Sequence, residues 1–247
     1  MSADVSEDEG DRLARARMVE IIAAEVAETS RWLGKERLDP GVMAAMAEVP
    51  RHAFVPAHSR GAAYENRPLP IGHGQTISQP YIVAIMTDLS GAGPGRKVLE
   101  VGTGCGYQAA VLAATGARVW TIETVPELAE QAALRLAELG YDGVQVRQDD
   151  GSKGWPEEAP FDGILVTAAA SRRPPAALIE QLAPGGRLVI PVEHRAARLS
   201  LFGGAGDQEL LVIVKNDDGS LSESCRLPVA FVPLIEGIED RAGAGDT

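Results

Sequence analysis

The sequence predicts an α/β fold built on a mostly parallel sheet with helices on both faces, and three observations predict it. From Arg96 onward strand-like and helix-like segments alternate, the pattern of parallel strands joined by crossover helices. The runs Ile164-Leu165-Val166 and Leu188-Val189-Ile190 are apolar without alternation, as strands covered on both faces are. Val98-Leu99-Glu100-Val101 opens directly into Gly102-Thr103-Gly104-Cys105-Gly106, a glycine-rich turn that lets backbone approach a ligand at the carboxyl edge of such a sheet.

The elements follow in order. Residues 1–10 are polar and acidic and are expected to be disordered. Over 13–26, Leu13, Met18, Ile21, Ile22 and Val26 recur at helical spacing, which predicts a helix with those residues toward the core. A second helix opens at Asp39 as N-cap with Pro40 in its first turn. It puts Val42, Met43, Met46 and Val49 on one face and stops before Pro50. Strands are predicted at 97–101, 119–123, 144–147, 163–167 and 187–191, and helices at 107–114, 126–139 and 174–182. After Pro191 the pattern changes. Residues 210–215, the turn Asn216-Asp217-Asp218-Gly219 and residues 221–226 predict an antiparallel hairpin, with a last strand at 229–232 and a flexible tail at 239–247. One domain is expected over 11–238: a helical substrate-side region at 11–95, a cofactor-binding sheet core at 96–192, and a C-terminal hairpin and strand at 193–238.

Composition narrows the function classes. The net charge of −12, with no basic stripe, argues against a nucleic-acid partner, since such binding draws on Lys and Arg neutralising phosphates. No apolar run approaches the roughly 18 to 20 residues that span a bilayer, and the acidic start is unlike a signal peptide. A cytoplasmic monomer with no membrane partner is the expectation. The two cysteines, Cys105 and Cys225, imply no disulfide framework, and His52, His58, His73 and His194 lack metal-ligand spacing, so no metal site is expected.

The glycine turn carries more detail. Its spacing is Gly-x-Gly-x-Gly, whereas dinucleotide sites usually show Gly-x-Gly-x-x-Gly. Glu123 ends the next strand, where a carboxylate can accept from both hydroxyls of a ribose, and Asp150-Gly151 follows the third strand, where an acid can meet an adenine amino group. Either acid alone also reads as an ordinary loop carboxylate. Taken together, three successive strand ends offering glycine, ribose acid and adenine acid point to S-adenosyl-L-methionine, held by Gly102, Thr103, Gly104, Gly106, Glu123, Asp150 and Gly151. Cys105 reads as a small packing residue.

Upstream, the segment 72–81, with Gln75-Thr76-Ile77-Ser78-Gln79 at its centre, is rich in glycine and small polar groups and contains no acid, lysine or cysteine. Read alone, Ser78 is a turn or N-cap serine ahead of Pro80. His73, between two glycines, reads as solvent-facing, and Arg172 with Arg173 as solvated charge.

The chain resembles the protein-L-isoaspartate O-methyltransferase family over about 18–234. The resemblance rests on Val49-Pro50-Arg51-His52-Ala53-Phe54-Val55-Pro56, on Tyr64-Glu65-Asn66-Arg67-Pro68-Leu69-Pro70-Ile71-Gly72 and above all on Gly74-Gln75-Thr76-Ile77-Ser78-Gln79-Pro80, which is specific to that family. Pro184 to Val192 and Phe231-Val232-Pro233-Leu234 also match. The resemblance implies a Rossmann-like class I S-adenosylmethionine-dependent methyltransferase with rearranged C-terminal strands. It also implies a repair reaction, methylation of the free α-carboxylate of L-isoaspartyl residues in damaged proteins and peptides, followed by succinimide closure. Carried over by position, Ser78 matches the active-site serine, Gln75, Thr76, Ile77 and Gln79 the substrate loop around it, and Thr76 and Ile77 also border the cofactor. Locally the chain departs from the family: Cys105 stands where serine is common, Glu193 where glycine is usual, and 194–207 is longer and richer in arginine.

The chemistry fits the sparse loop. A carboxylate with a pKa near about 4 arrives ionised, so no general base is required, whereas an amine or catechol acceptor would call for a base or metal. The protein's task is to aim and desolvate, and backbone N–H groups with the Ser78 hydroxyl suit that task. Two other readings share the cofactor seat: an aspartate O-methyltransferase that forms aspartimide in a biosynthetic peptide, and a non-catalytic S-adenosylmethionine-binding module.

Overall fold

In a computed structural model, residues 8–193, 208–235 and Gly237 are described. The extended arginine-rich loop at 194–207, the C-terminal tail at 239–247 and the first seven residues lie outside the described residues.

Asp8 caps the first helix, α1 (Glu9–Glu28), by accepting from the Asp11 amide at 2.8 Å, so Glu9 and Gly10, expected in a disordered arm, are helical. Met18, Ile22 and Val26 are buried as predicted, but Leu13 and Ile21 are 58% and 47% exposed, because the buried stripe of α1 is narrower than the run of apolar residues. After α2 (Ser30–Leu33), α3 (Pro40–Glu48) begins as expected, with the Asp39 carboxylate accepting from Gly41 N at 2.7 Å and proline in the first turn. A short antiparallel ribbon, β1 (Leu69–Gly72) with β2 (Gln75–Ile77), leads through Ser78 and Gln79 into α4 (Pro80–Leu89), nine of whose residues are buried.

The sheet strands are β3 (Lys97–Val101), β4 (Arg118–Glu123), β5 (Gln145–Gln148), β6 (Phe161–Val166), β7 (Leu182–Glu193), β8 (Gln208–Lys215) and β9 (Leu221–Val229). They run in spatial order β5-β4-β3-β6-β7-β8-β9, parallel from β5 to β7 and antiparallel at β8 and β9. The rearranged C-terminal strands are therefore a simple meander. Helices α5 (Tyr107–Ala114), α6 (Pro126–Glu138) and α7 (Ala176–Glu180) complete the crossovers.

Alternate strand residues separate into two cores. Val98, Leu165 and Val189 pack with α1, α3, α4 and α5, whereas Leu99, Ile164, Val166, Leu188 and Ile190 pack with Leu178 of α7 and Leu182. Both sheet faces are thus covered, which explains the uninterrupted apolar runs. Two boundaries differ from expectation. α7 starts only after Pro175 and gives way at Leu182, which pairs with Phe161 and so extends β7 toward its N-terminus. No separate strand forms over 229–232. Pairing with β8 continues past a bulge near Cys225 to Val229, and the chain then adds only a bridge from Pro233 to Ala169. No described helix is long and apolar enough to cross a membrane.

Candidate active site

The chain leaves β3 toward β4 on one side and pairs β6 on the other, so the carboxyl ends of β3, β4 and β6 flank the point where strand order reverses, the place where open α/β sheets bind ligands. A cavity of about 700 Å³ opens there. Its walls include the glycine turn at Gly102, Thr103 and Gly104, the carboxylate of Glu123, and Gly151. Opposite them stands the whole of Gln75, Thr76, Ile77, Ser78 and Gln79. Two loops far apart in function, as read from sequence, therefore face one space.

Gly102 turns the chain at φ +100°, and a Cβ there would stand 2.3 Å from Thr167 Oγ1. Thr167 in turn donates its hydroxyl to the Gly102 carbonyl at 2.7 Å, bracing the turn from β6. Glu123 organises the same turn. Its Oε2 accepts from Gly104 N at 2.7 Å, and its Oε1 from Thr124 N at 2.9 Å and Val125 N at 3.0 Å. A carboxylate offers about four lone-pair sites; the three amides leave about one, held only by a long 3.4 Å contact from the Thr124 hydroxyl, for a ribose hydroxyl to take. Gly151 is small because a Cβ would meet Val101 Cγ1 at 2.5 Å.

Two residues of the expected set stand back from the cavity. Gly106, at φ +90°, is the N-cap of α5 and packs toward Leu136, so it shapes the turn without lining the space. Asp150 is buried at the rim, where Oδ1 accepts from the Ser152 amide and hydroxyl at 3.0 and 2.6 Å and Oδ2 from Gly237 N at 2.9 Å. Burial pushes its pKa up, but these donors outweigh burial and hold the carboxyl below its ordinary value.

The structure also brings in residues that sequence reasoning missed. Glu25, Thr29 and Trp32 close the cavity from the N-terminal helices, and the strand exit from Leu227 to Ile235 closes it from the C-terminal side. Glu25 accepts from Asn66 Nδ2 at 2.5 Å and from Gln79 Nε2 at 3.4 Å, and burial raises its pKa. The segment 72–81 has no acid of its own, yet α1 delivers one to the same space. His73 is exposed at the β1–β2 tip and Arg172 and Arg173 are exposed as well; none of them lines the cavity. Cys105 is a buried free thiol.

The lining charge is one-sided. Glu25 and Glu123 contribute carboxylates to the wall, Glu100 borders it with its proton retained, and no Lys, Arg or His lines it among the described residues. Such a wall suits a cationic sulfonium and an ammonium and is unfavourable for a pyrophosphate, in line with the glycine spacing. The residues present thus fit S-adenosyl-L-methionine. Among the described residues no group of His, Cys, Asp and Glu is arranged to hold a metal ion.

Glu100 lies under the turn, fully buried. Its Oε2 accepts from Thr121 Oγ1 at 2.6 Å, while Oε1 has no partner, and burial raises its pKa to about 8. Between its ordinary 4.5 and about 8, the folded protein keeps a proton that the unfolded chain has released, so stability declines as pH rises through that window and levels above it. Glu100→Gln is expected to flatten this dependence. Thermal melts of both proteins at steps across the window check it, and an unchanged slope in the variant would rule Glu100 out as the source.

Comparison with known proteins adds relatives to this geometry. The family described as protein-L-isoaspartate(D-aspartate) O-methyltransferase matches residues 31–239, well over half of the chain. A protein-L-isoaspartate O-methyltransferase 2 from Polaromonas sp. is 58% identical over 217 residues, covering 88% of this chain and 98% of the relative. Another of that name from Syntrophobacter fumaroxidans is 56% identical over 224 residues, covering 91% of this chain and 87% of the relative. A solved protein-L-isoaspartate O-methyltransferase superposes with a TM-score of 0.73 at 27% identity, over 90% of this chain and 66% of that one. A Plasmodium falciparum structure named for the same activity, in complex with S-adenosyl-L-homocysteine, gives 0.68 at 25% identity, over 86% and 98%.

Proposed function

We infer the roles of the site residues from the premise that this chain belongs to the protein-L-isoaspartate(D-aspartate) O-methyltransferase family. It is an S-adenosyl-L-methionine-dependent methyltransferase acting on isoaspartyl residues of proteins, in protein repair. When bound, the cofactor supplies an electrophilic methyl group on a sulfonium.

The observation that carries the assignment of roles is that the loop from Gln75 to Gln79 and the turn from Gly102 to Gly104 line one cavity. Gly102, Thr103, Gly104, Glu123 and Gly151 hold the cofactor, with Thr76 and Ile77 at its border. Glu123 receives the ribose, and Asp150 acts at the adenine side, where its carboxylate exchanges the Gly237 amide for the base. Ser78 is an orienting donor: its hydroxyl fixes one oxygen of the substrate α-carboxylate and leaves the other aimed. Gln75 and Gln79 contact the peptide on either side. The acceptor is already ionised at neutral pH, so none of these residues needs to remove a proton. Methylation converts the carboxylate into a methyl ester, whose methoxide is a far better leaving group; the neighbouring backbone nitrogen then attacks the ester carbonyl, loses its proton and expels methanol, closing a succinimide away from the enzyme's groups.

The enzyme works as a cytoplasmic monomer without nucleic-acid or membrane partner. Support comes from the net charge of −12 and from two cysteines that are both free, as a reducing compartment favours.

Transfer of labelled methyl to paired peptides that differ only in isoaspartate versus aspartate tests the acceptor. Labelling of the isoaspartyl member alone is expected. Equal labelling favours the aspartimide-forming alternative, and no labelling with intact cofactor binding favours a binding module. Ser78→Ala is expected to lower kcat roughly 10- to 100-fold while cofactor affinity shifts by less than about threefold. A large affinity loss with preserved turnover would overturn the orienting role.

A further inference from the structure

Arg51 is fully buried, yet among the described residues no carboxylate lies within ion-pair distance of it. Burying an uncompensated guanidinium costs stability, so the fold alone does not account for it. Its contacts do. Nε donates to the Ala63 carbonyl at 2.8 Å, and Nη2 donates to the Ser78 carbonyl at 2.8 Å. The guanidinium carbon stands 4.9 Å from the centre of the Tyr107 ring, and Tyr107 is the first residue of the helix that leaves the glycine turn. Nη1 remains without a partner.

Three segments therefore meet on one planar group: the turn ahead of β1, the loop carrying Ser78, and the start of α5. We propose that Arg51 is a positioning residue for methyl transfer, whose fork fixes the Ser78 loop at a set distance from the glycine turn. The proposal rests on the role given above to Ser78. It also bears on the acceptor's charge, because the cavity wall carries acids and no cation, and the buried guanidinium behind Ser78 is the positive group adjoining the loop that receives a carboxylate. A lysine would keep the charge, but its ammonium is a point donor that does not reproduce a flat fork stacked on a ring.

Arg51→Lys and Arg51→Met, with Met46→Ala as a destabilised control in the core, separate positioning from mere folding. Met46 is fully buried in α3 and is assigned no role at the site. Displacement of reacting groups by about 1 Å costs on the order of 10²-fold, so Arg51→Lys is expected to lose roughly that much kcat on an isoaspartyl peptide, and Arg51→Met more. Binding of S-adenosyl-L-homocysteine to both is expected to stay within about threefold of wild type. Met46→Ala, assayed well below its own melting temperature, is expected to keep its kcat.

The proposal is overturned if Arg51→Lys retains kcat within about threefold, or if Met46→Ala loses kcat as steeply at a matched drop in melting temperature. Failure of the underlying reading shows differently: wild type would then fail to prefer the isoaspartyl peptide, or Ser78→Ala would turn over normally, whatever Arg51 variants do.

Discussion

Exchanging Glu123 for alanine is expected to remove most cofactor affinity and a measurable part of the fold's stability together. The carboxylate accepts three backbone N–H groups, from Gly104, Thr124 and Val125, and is only 5% exposed. Leaving a buried donor unpaired costs about 1–3 kcal/mol, but Thr124 and Val125 are half-buried and water can reach them, so the sum is discounted to about 2–3 kcal/mol. For a chain of this size that lowers the melting temperature by roughly 5–10 °C. A hydrogen bond to a charged group contributes about 1.5–3 kcal/mol, so losing the ribose contact lowers affinity by roughly 10- to 10²-fold. Titration calorimetry with S-adenosyl-L-homocysteine and a thermal melt read the two effects. An affinity within about threefold of wild type would remove Glu123 from the cofactor site.

Gly102→Ala is expected to be as severe for a different reason. At φ +100° an L side chain is strained by about 1–3 kcal/mol, and the added Cβ meets Thr167 Oγ1 at 2.3 Å. Thr167 has to swing away and forfeit its hydrogen bonds to the carbonyls of Gly102 and Val101. Loss of cofactor binding and a stability loss of about 3–4 kcal/mol are expected. Because the single variant is prone to misfold, the double variant Gly102→Ala with Thr167→Ala carries the decision. Without Oγ1 the nearest Thr167 atom is its Cβ at 3.6 Å, so the pair is expected to melt above the single glycine variant. If the double variant melts lower still, by the sum of both changes, the collision with Thr167 is not the cause.

These two residues were legible because their signals are local: a glycine triplet at a strand end, an acid at the next strand end. The strand at Lys97–Val101 and the helix at Tyr107–Ala114 were legible for the same reason, and their predicted limits match the structure. Glu25, Trp32 and the wall from Leu227 to Ile235 were not, because their place in the cavity depends on long-range packing of the first helices and of the β9 exit. The extra strand expected at 229–232 failed on register, since a bulge beside Cys225 let β9 keep pairing to Val229. Arg51 gave a faint signal, a charge inside the apolar run from Val49 to Val55, but its partners Ala63 and Ser78 are distant in sequence. Asp150 illustrates the converse: its place after β5 was legible, yet the structure sets it back from the cavity, with the tail amide of Gly237 on one of its oxygens.

The buried helix α4 joins the acceptor loop to the strand that ends in the glycine turn, so its length sets the spacing between the two. An α-helix advances 1.5 Å and turns about 100° per residue, so one residue inserted between Pro80 and Leu89 would swing Ser78 off its bearing by more than the roughly 1 Å that transfer tolerates. An insertion within α4 is therefore expected to lower turnover, whereas the exposed turn at 94–96 after it lies outside the helical constraint. The same insertion at the hairpin turn from Asn216 to Gly219, whose backbone bonds are local to the turn, is expected to leave turnover unchanged.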